Sequence, residues 1–243
     1  MKVLISVISV EEAKVALKTN PDIIDIKNPG EGSLGAQFPW IIKDIAEELK
    51  GSAVLCSVTL GDLDYKPGTA ALAAYGAATC GANYIKAGLY GIKNYNEAFY
   101  LMTGIVNSVR MVNVGISVVA AGYADYKRFS GISPEILTKA ARDSGADIVM
   151  IDTAIKDGKN LFDSMNSDEL KYFIDLAHDS GLQVALAGSI KMTHLELLSE
   201  LDPNIIGVRG AICENEDRTT KLSENKISEF MRIKNVRYQR TAK

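Results

Sequence analysis

Cysteine is scarce in this 243-residue chain: Cys56, Cys80 and Cys213 are too few and too scattered for a disulfide framework or a zinc site. Histidine is scarcer still, with His178 and His194 alone, both in segments that read as outer helices. No run approaches the roughly 18 to 20 consecutive apolar residues that a membrane span needs. No basic stripe stands out, and the formal net charge is −3 with both signs interspersed, which argues against a nucleic-acid surface. The opening residues, Met1 to Lys14, lack a small-residue cleavage site and pass directly into a charged helical pattern, so they read as a first strand rather than a leader. These absences point to a cytoplasmic protein without membrane or nucleic-acid partners or a metal, which must catch anionic ligands with a local site.

What is present is a repeating alternation in a chain that is 47% apolar. Short β-branched runs at Lys2–Val7, Ile23–Lys27, Ala53–Val58, Tyr84–Ala87, Val112–Val119, Ile148–Ile151, Gln183–Leu186 and Ile205–Val208 read as strands. Between them lie helical patterns near 11–19, 39–50, 69–80, 95–108, 134–144, 167–180, 192–200 and 224–234. Ser133-Pro134-Glu135 is a helix start, with a capping hydroxyl followed by proline at the first helical position, and Ser167-Asp168-Glu169 has similar character. Eight strands and eight helices in strict alternation predict a single-domain (β/α)8 TIM barrel over 1–235, followed by a basic C-terminal tail, 236–243, expected to fray. The rival, a doubly wound open sheet, calls for a glycine-rich fingerprint after the first strand, and Ser6-Val7-Ile8-Ser9 is nothing like one.

In a barrel of this kind chemistry sits at the C-terminal ends of the strands. Side chains alternate along a strand, so Asp25 and Lys27 share one face and Ile24 and Ile26 the other. The isoleucines suit the layer against the helices, which turns Asp25 and Lys27 into the barrel mouth. Lys86 ends the fourth strand; Asp152 ends the sixth, with Lys156 four residues on. Three lysines and two aspartates from three strands are therefore candidate catalytic groups. The competing readings are a structural ion pair plugging the barrel, and for Lys86 a snorkelling surface group. Crowding and desolvation depress a lysine pKa while carboxylates raise it; a freed Lys27 amine is a nucleophile for a carbonyl, with Asp25 and Asp152 moving protons.

Gly188-Ser189 and Arg209-Gly210 follow the seventh and eighth strands, where barrels of this class often bind phosphate through backbone N–H groups. Arg209 would add charge-assisted bonds; ordinary turn glycines are the plain alternative. Asp62-Leu63-Asp64 lacks a third clustered metal ligand and reads as shaping the third loop, while Tyr90, Tyr123 and Asp125 fall on the loops around the mouth. The ligand implied is a small phosphorylated molecule. A homo-oligomer is open, since outer helical faces such as 95–108 could pack on a second copy, but nothing singles one out.

The stretch Asp25-Ile-Lys-Asn-Pro-Gly-Glu-Gly-Ser-Leu-Gly-Ala36 resembles the signature of the (5-formylfuran-3-yl)methyl phosphate synthases of methanofuran biosynthesis. The resemblance extends through Gly61-Asp62, Lys66-Pro67-Gly68-Thr69, Tyr84 to Gly91, Asp152 to Lys159 and Ala187-Gly-Ser-Ile190. It implies a cofactor-independent lyase that condenses two molecules of glyceraldehyde 3-phosphate, with Lys27 as the Schiff-base lysine and Asp25, Lys86, Asp152 and Lys156 as its working neighbours. The alternative is a class I aldolase or transaldolase-like barrel acting on another sugar phosphate; a non-catalytic phosphate-binding barrel is the reading from outside enzymology.

Overall fold

The computed structural model describes residues 1–241. Among them, eight parallel strands close into a barrel in chain order: β1 (Lys2–Val7), β2 (Ile23–Ile26), β3 (Leu55–Asp62), β4 (Tyr84–Gly88), β5 (Ser117–Tyr123), β6 (Ile148–Asp152), β7 (Gln183–Leu186) and β8 (Ile205–Val208). Closure is made by β1, which pairs with β2 on one side and β8 on the other. The surrounding helices are α1 (Val10–Leu17), α2 (Pro39–Glu48), α3 (Pro67–Thr79), α4 (Tyr95–Val112), α5 (Pro134–Ser144), a single turn α6 (Leu161–Ser164), α7 (Ser167–Asp179), α8 (Leu195–Leu201) and α9 (Glu224–Thr241). No described helix is long and apolar enough to cross a membrane.

Strand alternation sorts the apolar residues into two layers. Ile24 and Ile26 join Val3, Ile5, Val58 and Ile85 in the layer between strands and helices, whereas Ile23 joins Leu4, Tyr84, Ile148, Met150 and Ile205 inside the barrel. The helix starts follow from local capping. Ser133 accepts the Ile136 N–H (3.4 Å) ahead of Pro134, and Gly145, at φ +78°, ends α5. For α7 the cap is Asn166, one residue before the expected serine: its side chain accepts the Glu169 N–H while Glu169 reaches back to the Asn166 N–H.

Two strands lie further along the chain than the β-branched runs suggest. β3 continues through Gly61, at φ +115°, into Asp62, with a register shift against β4 between Thr59 and Asp62. The glycine permits this irregular continuation of the strand. β5 begins only at Ser117, α4 having run on to Val112, and ends in Ala120-Ala121-Gly122-Tyr123. A Cβ on Gly122 would lie 2.8 Å from a methyl of Leu137 in α5, so a larger residue there obliges that side chain to shift. The segment 236–243, expected to fray, begins inside α9, whose helical backbone runs to Thr241; residues 242 and 243 lie outside the described part.

Candidate active site

The C-terminal mouth of the barrel holds a cavity of about 450 Å³. It is lined by Lys27, Lys86, Asp152 and Lys156 from the β2, β4 and β6 side, and by Gly188–Lys191, Arg209–Ala211 and Glu216–Arg218 from the β7 and β8 loops. Its charged lining is mostly cationic, which gives a chain of net charge −3 a local attraction for anions.

Asp25 sits below the cavity rather than on its wall. It is fully buried in register between Ser6 of β1 and Ser57 of β3, and both hydroxyls donate to its carboxylate, at 3.2 and 2.7 Å. Lys86 completes the shell, its Nζ 2.9 Å from each carboxylate oxygen. Such a charge is tolerable in the interior because every direction is answered by a donor. Asp25 therefore meets a ligand only through Lys86 or Ser6, a constraint on the expected proton-moving role.

Lys27 projects into the mouth just beyond β2. Its Nζ contacts the Ser33 carbonyl at 3.4 Å, and the residue is 7% exposed. Burial lowers its pKa from the ordinary 10.5 to about 8; Asp152 and Asp25 oppose the shift, and Lys86 and Lys156 add to it. The β2–α2 loop folds inward here: Ser33 Oγ donates to the Thr153 carbonyl (2.9 Å), Thr59 Oγ1 donates to the Gly35 carbonyl (2.7 Å), and Leu34 is buried in the barrel interior. Asp152 ends β6 and accepts from Lys156 Nζ at 2.9 Å and from the Thr153 N–H at 2.7 Å. Burial alone would raise its pKa; the ammonium groups of Lys156 and Lys27 override that and hold it at about 2.

Gly188 and Ser189 both adopt left-handed backbone, at φ +109° and +50°. A Cβ on Gly188 would come within 2.9 Å of the Thr153 side chain, so glycine is required at this close approach of the β6 and β7 loops. The N–H groups of Gly188, Ser189 and Gly210 find no acceptor among the described residues. Arg209 also lines the cavity, but most of its guanidinium faces protein partners. Its guanidinium forks onto Glu12 (2.8 and 3.1 Å), donates to the Ser6 carbonyl (3.0 Å) and, through Nε, to the Arg218 carbonyl (2.8 Å). Four of its five N–H groups are thus committed to tying the β8 loop to β1 and α1.

Tyr90, Tyr123 and Asp125 do not line the cavity. The two tyrosines pack with Phe129 in an aromatic cluster, and Asp125 accepts the N–H groups of Ala154 and Ile155 (2.8 and 2.9 Å), bracing the β6 loop. His178 is exposed beside Asn204, and His194 packs on Phe162. No cluster of three or more His, Cys, Asp or Glu side chains suited to a metal occurs among the described residues. Sequence reasoning missed Ser6, Ser57, Lys191, Arg218 and Glu12. For Ser6 and Ser57 a signal existed, small hydroxyls at inward positions of otherwise apolar strands; for Glu12, 197 residues from Arg209, none did.

Residues 3–231 match the family model described as 4-HFC-P synthase. The (5-formylfuran-3-yl)methyl phosphate synthase of Archaeoglobus fulgidus is 53% identical over 231 residues, covering 95% of this chain and 98% of that one. Its counterpart from Methanocaldococcus jannaschii is 54% identical over 218 residues, 90% and 92% of the two chains. Among solved structures, 3-hexulose-6-phosphate synthase from Salmonella typhimurium shares the fold at TM-score 0.65 and 18% identity, covering 96% of this chain and 100% of that one. KGPDC from Streptococcus mutans does so at TM-score 0.67 and 11% identity, over 98% of each. The structural likenesses speak to the barrel alone; the family match and the relatives at about half identity, each spanning nearly the whole chain, place this protein in the 4-HFC-P synthase family.

Proposed function

We propose that the cavity condenses two molecules of glyceraldehyde 3-phosphate into (5-formylfuran-3-yl)methyl phosphate through an imine on Lys27, as a carbon–oxygen lyase of methanofuran biosynthesis working in the cytoplasm. The observation that carries this reading is the buried amine of Lys27 at the cavity floor, its pKa near 8. At pH 7 about one amine in ten is then neutral, against roughly one in three thousand at the ordinary value. That is the difference between a usable and a negligible nucleophile.

The stoichiometry closes without an oxidant or reductant. Two trioses give the six-carbon furan with loss of one phosphate and two waters. Lys27 attacks the first aldehyde and expels water as the imine forms; loss of the C2 proton gives the enamine, whose carbon attacks the second aldehyde. Elimination of phosphate, ring closure, dehydration and release of the amine follow. Lys156, paired with the ionised Asp152, and Lys86, seated on Asp25, offer N–H donors to the departing phosphate and to hydroxyls. Asp152, ionised at neutral pH beside Lys27, can take a proton only as a weak base, since the neighbouring ammonium groups hold its pKa at about 2. The N–H groups of Gly188, Ser189 and Gly210 supply an anion seat opposite, with Lys191 and Arg218 on the same wall.

The test is intact-protein mass after incubation with glyceraldehyde 3-phosphate and borohydride, for wild type and Lys27→Ala, with ultraviolet absorbance followed in parallel. A reduced adduct on Lys27 together with a furan band is expected. An adduct without the band indicates an ordinary class I aldolase; neither adduct nor band overturns the Schiff-base mechanism.

A further inference from the structure

Asp62 has no part in the chemistry above, yet it is the hub of the contacts behind Lys27. It ends β3, and its Oδ2 accepts the Leu34 N–H at 3.3 Å. The Leu34 N–H and the Ser33 C=O belong to one planar peptide group, and that carbonyl is the one contacted by Lys27 Nζ, at 3.4 Å. The path from carboxylate to amine thus runs through a single rigid unit, with the acceptor pointing at Lys27 whenever the donor is held by Asp62. A carboxylate on the N–H also polarises the peptide and makes its carbonyl a stronger acceptor.

The surroundings hold Asp62 in that role. Its other oxygen accepts the hydroxyl of Tyr123, at the end of β5. Burial first, then the charge of Asp62, pushes the Tyr123 phenol well above its ordinary range, so it stays a donor. Two glycines make room. A Cβ on Gly32, at φ +130°, would collide with Asp62 Oδ2; one on Gly88 would lie 2.5 Å from the Tyr123 hydroxyl and 2.8 Å from Asp62 Oδ1. Leu34, planted in the barrel interior, fixes the far side of the same peptide.

We propose that Asp62 is a positioning residue for Lys27, acting through the Ser33–Leu34 peptide group. The assignment rests on the reading of Lys27 as the reactive amine, so its test includes a measurement that needs no substrate. Competitive acetylation of wild type, Asp62→Ala and Asp62→Asn, read by peptide mass from pH 6 to 11 against exposed Lys50, gives the titration midpoint of Lys27. Borohydride trapping with glyceraldehyde 3-phosphate and steady-state kinetics follow on the same proteins.

With Asp62→Ala the loosened loop admits water, so the Lys27 midpoint moves up toward the ordinary lysine value of 10.5. Trapping and kcat fall by about tenfold to a hundredfold, while KM stays within about threefold. Asn at 62 keeps an acceptor for the Leu34 N–H but not the charge, and restores part of each loss. A wild-type labelling profile in Asp62→Ala, or a raised KM at unchanged kcat, overturns the proposal. If Asp62→Ala does not fold, Asp62→Asn decides, and a wild-type profile there overturns it equally. Absence of any adduct in the wild type sinks the imine reading instead, and the labelling comparison still decides the role of Asp62.

Discussion

Lys86 and Asp25 form a two-pronged ion pair in the barrel interior, Nζ 2.9 Å from both carboxylate oxygens, with side chains 2% and 0% exposed. The reactive amine proposed here, Lys27, stands two residues beyond Asp25 at the open end of the same strand. Removing one partner strands the other in a medium that cannot solvate it. Lys86→Met is expected to destabilise the protein by about 3–5 kcal/mol. The double variant Asp25→Leu/Lys86→Met should recover much of that loss, because no buried charge remains. Urea denaturation of the single and double variants checks both statements.

Lys27 sets a pH dependence of defined sign. Its folded pKa lies below the unfolded value, about 8 against 10.5, so between these pH values the unfolded chain holds a proton that the folded one lacks. Stability therefore rises with pH across that window, and the full cost of the buried ammonium is felt below pH 8. Lys27→Met should stabilise the protein at pH 7 by up to ~3 kcal/mol, with the advantage fading by pH 10.5. Denaturation midpoints at pH 7 and pH 10 read this directly; an advantage that grows with pH would reverse the assignment.

Asp152 behaves in the opposite sense. Burial opposes its charge, but Lys156 and Lys27 hold its pKa at about 2, so its contribution is present above pH 4 and lost as pH falls from 4 to 2. Asp152→Asn is expected to cost about 2 kcal/mol at pH 7 and to flatten the acid limb of the stability curve. The same depression means that Asp152 imposes no loss of activity between pH 5 and 7, which a pH–rate profile of the wild type can contradict.

Arg209 offers a test that separates a brace from a phosphate ligand. Its fork onto Glu12 is buried, so Arg209→Gln and Glu12→Gln should destabilise by similar amounts, about 3–5 kcal/mol, with strong non-additivity when combined. A direct phosphate ligand would instead raise KM in Arg209→Gln and leave KM in Glu12→Gln near wild type. The cycle is read by denaturation and by KM for the triose phosphate.

The barrel and most of its charged floor were legible because both rest on local patterns. Seven of the eight expected strand runs mark the observed strands to within a few residues, and alternation alone put Asp25 and Lys27 on the inward face. The fifth run was misplaced because its β-branched residues begin at the end of α4, while the strand itself finishes in small residues. What stayed hidden was long-range. Nothing near Arg209 announces Glu12, and nothing in Asp62-Leu63-Asp64 tells that strand β3 carries Asp62 to the back of the Lys27 loop. The inward plunge of Leu34 was equally unreadable, since a single leucine among glycines looks like any loop residue.

The barrel does not grip itself evenly. β4 and β5 are in register over five residue pairs, whereas β7 and β8 meet at Ala185↔Ile205 and Leu186↔Ile206. That short seam runs straight up to Gly188-Ser189 on one lip and Arg209-Gly210 on the other. A cylinder breathes first where its staves are least joined, so amide exchange in the empty protein should begin along this line. An anion seated between the two lips would act as a clasp across it, so that filling the pocket also fastens the wall that forms it.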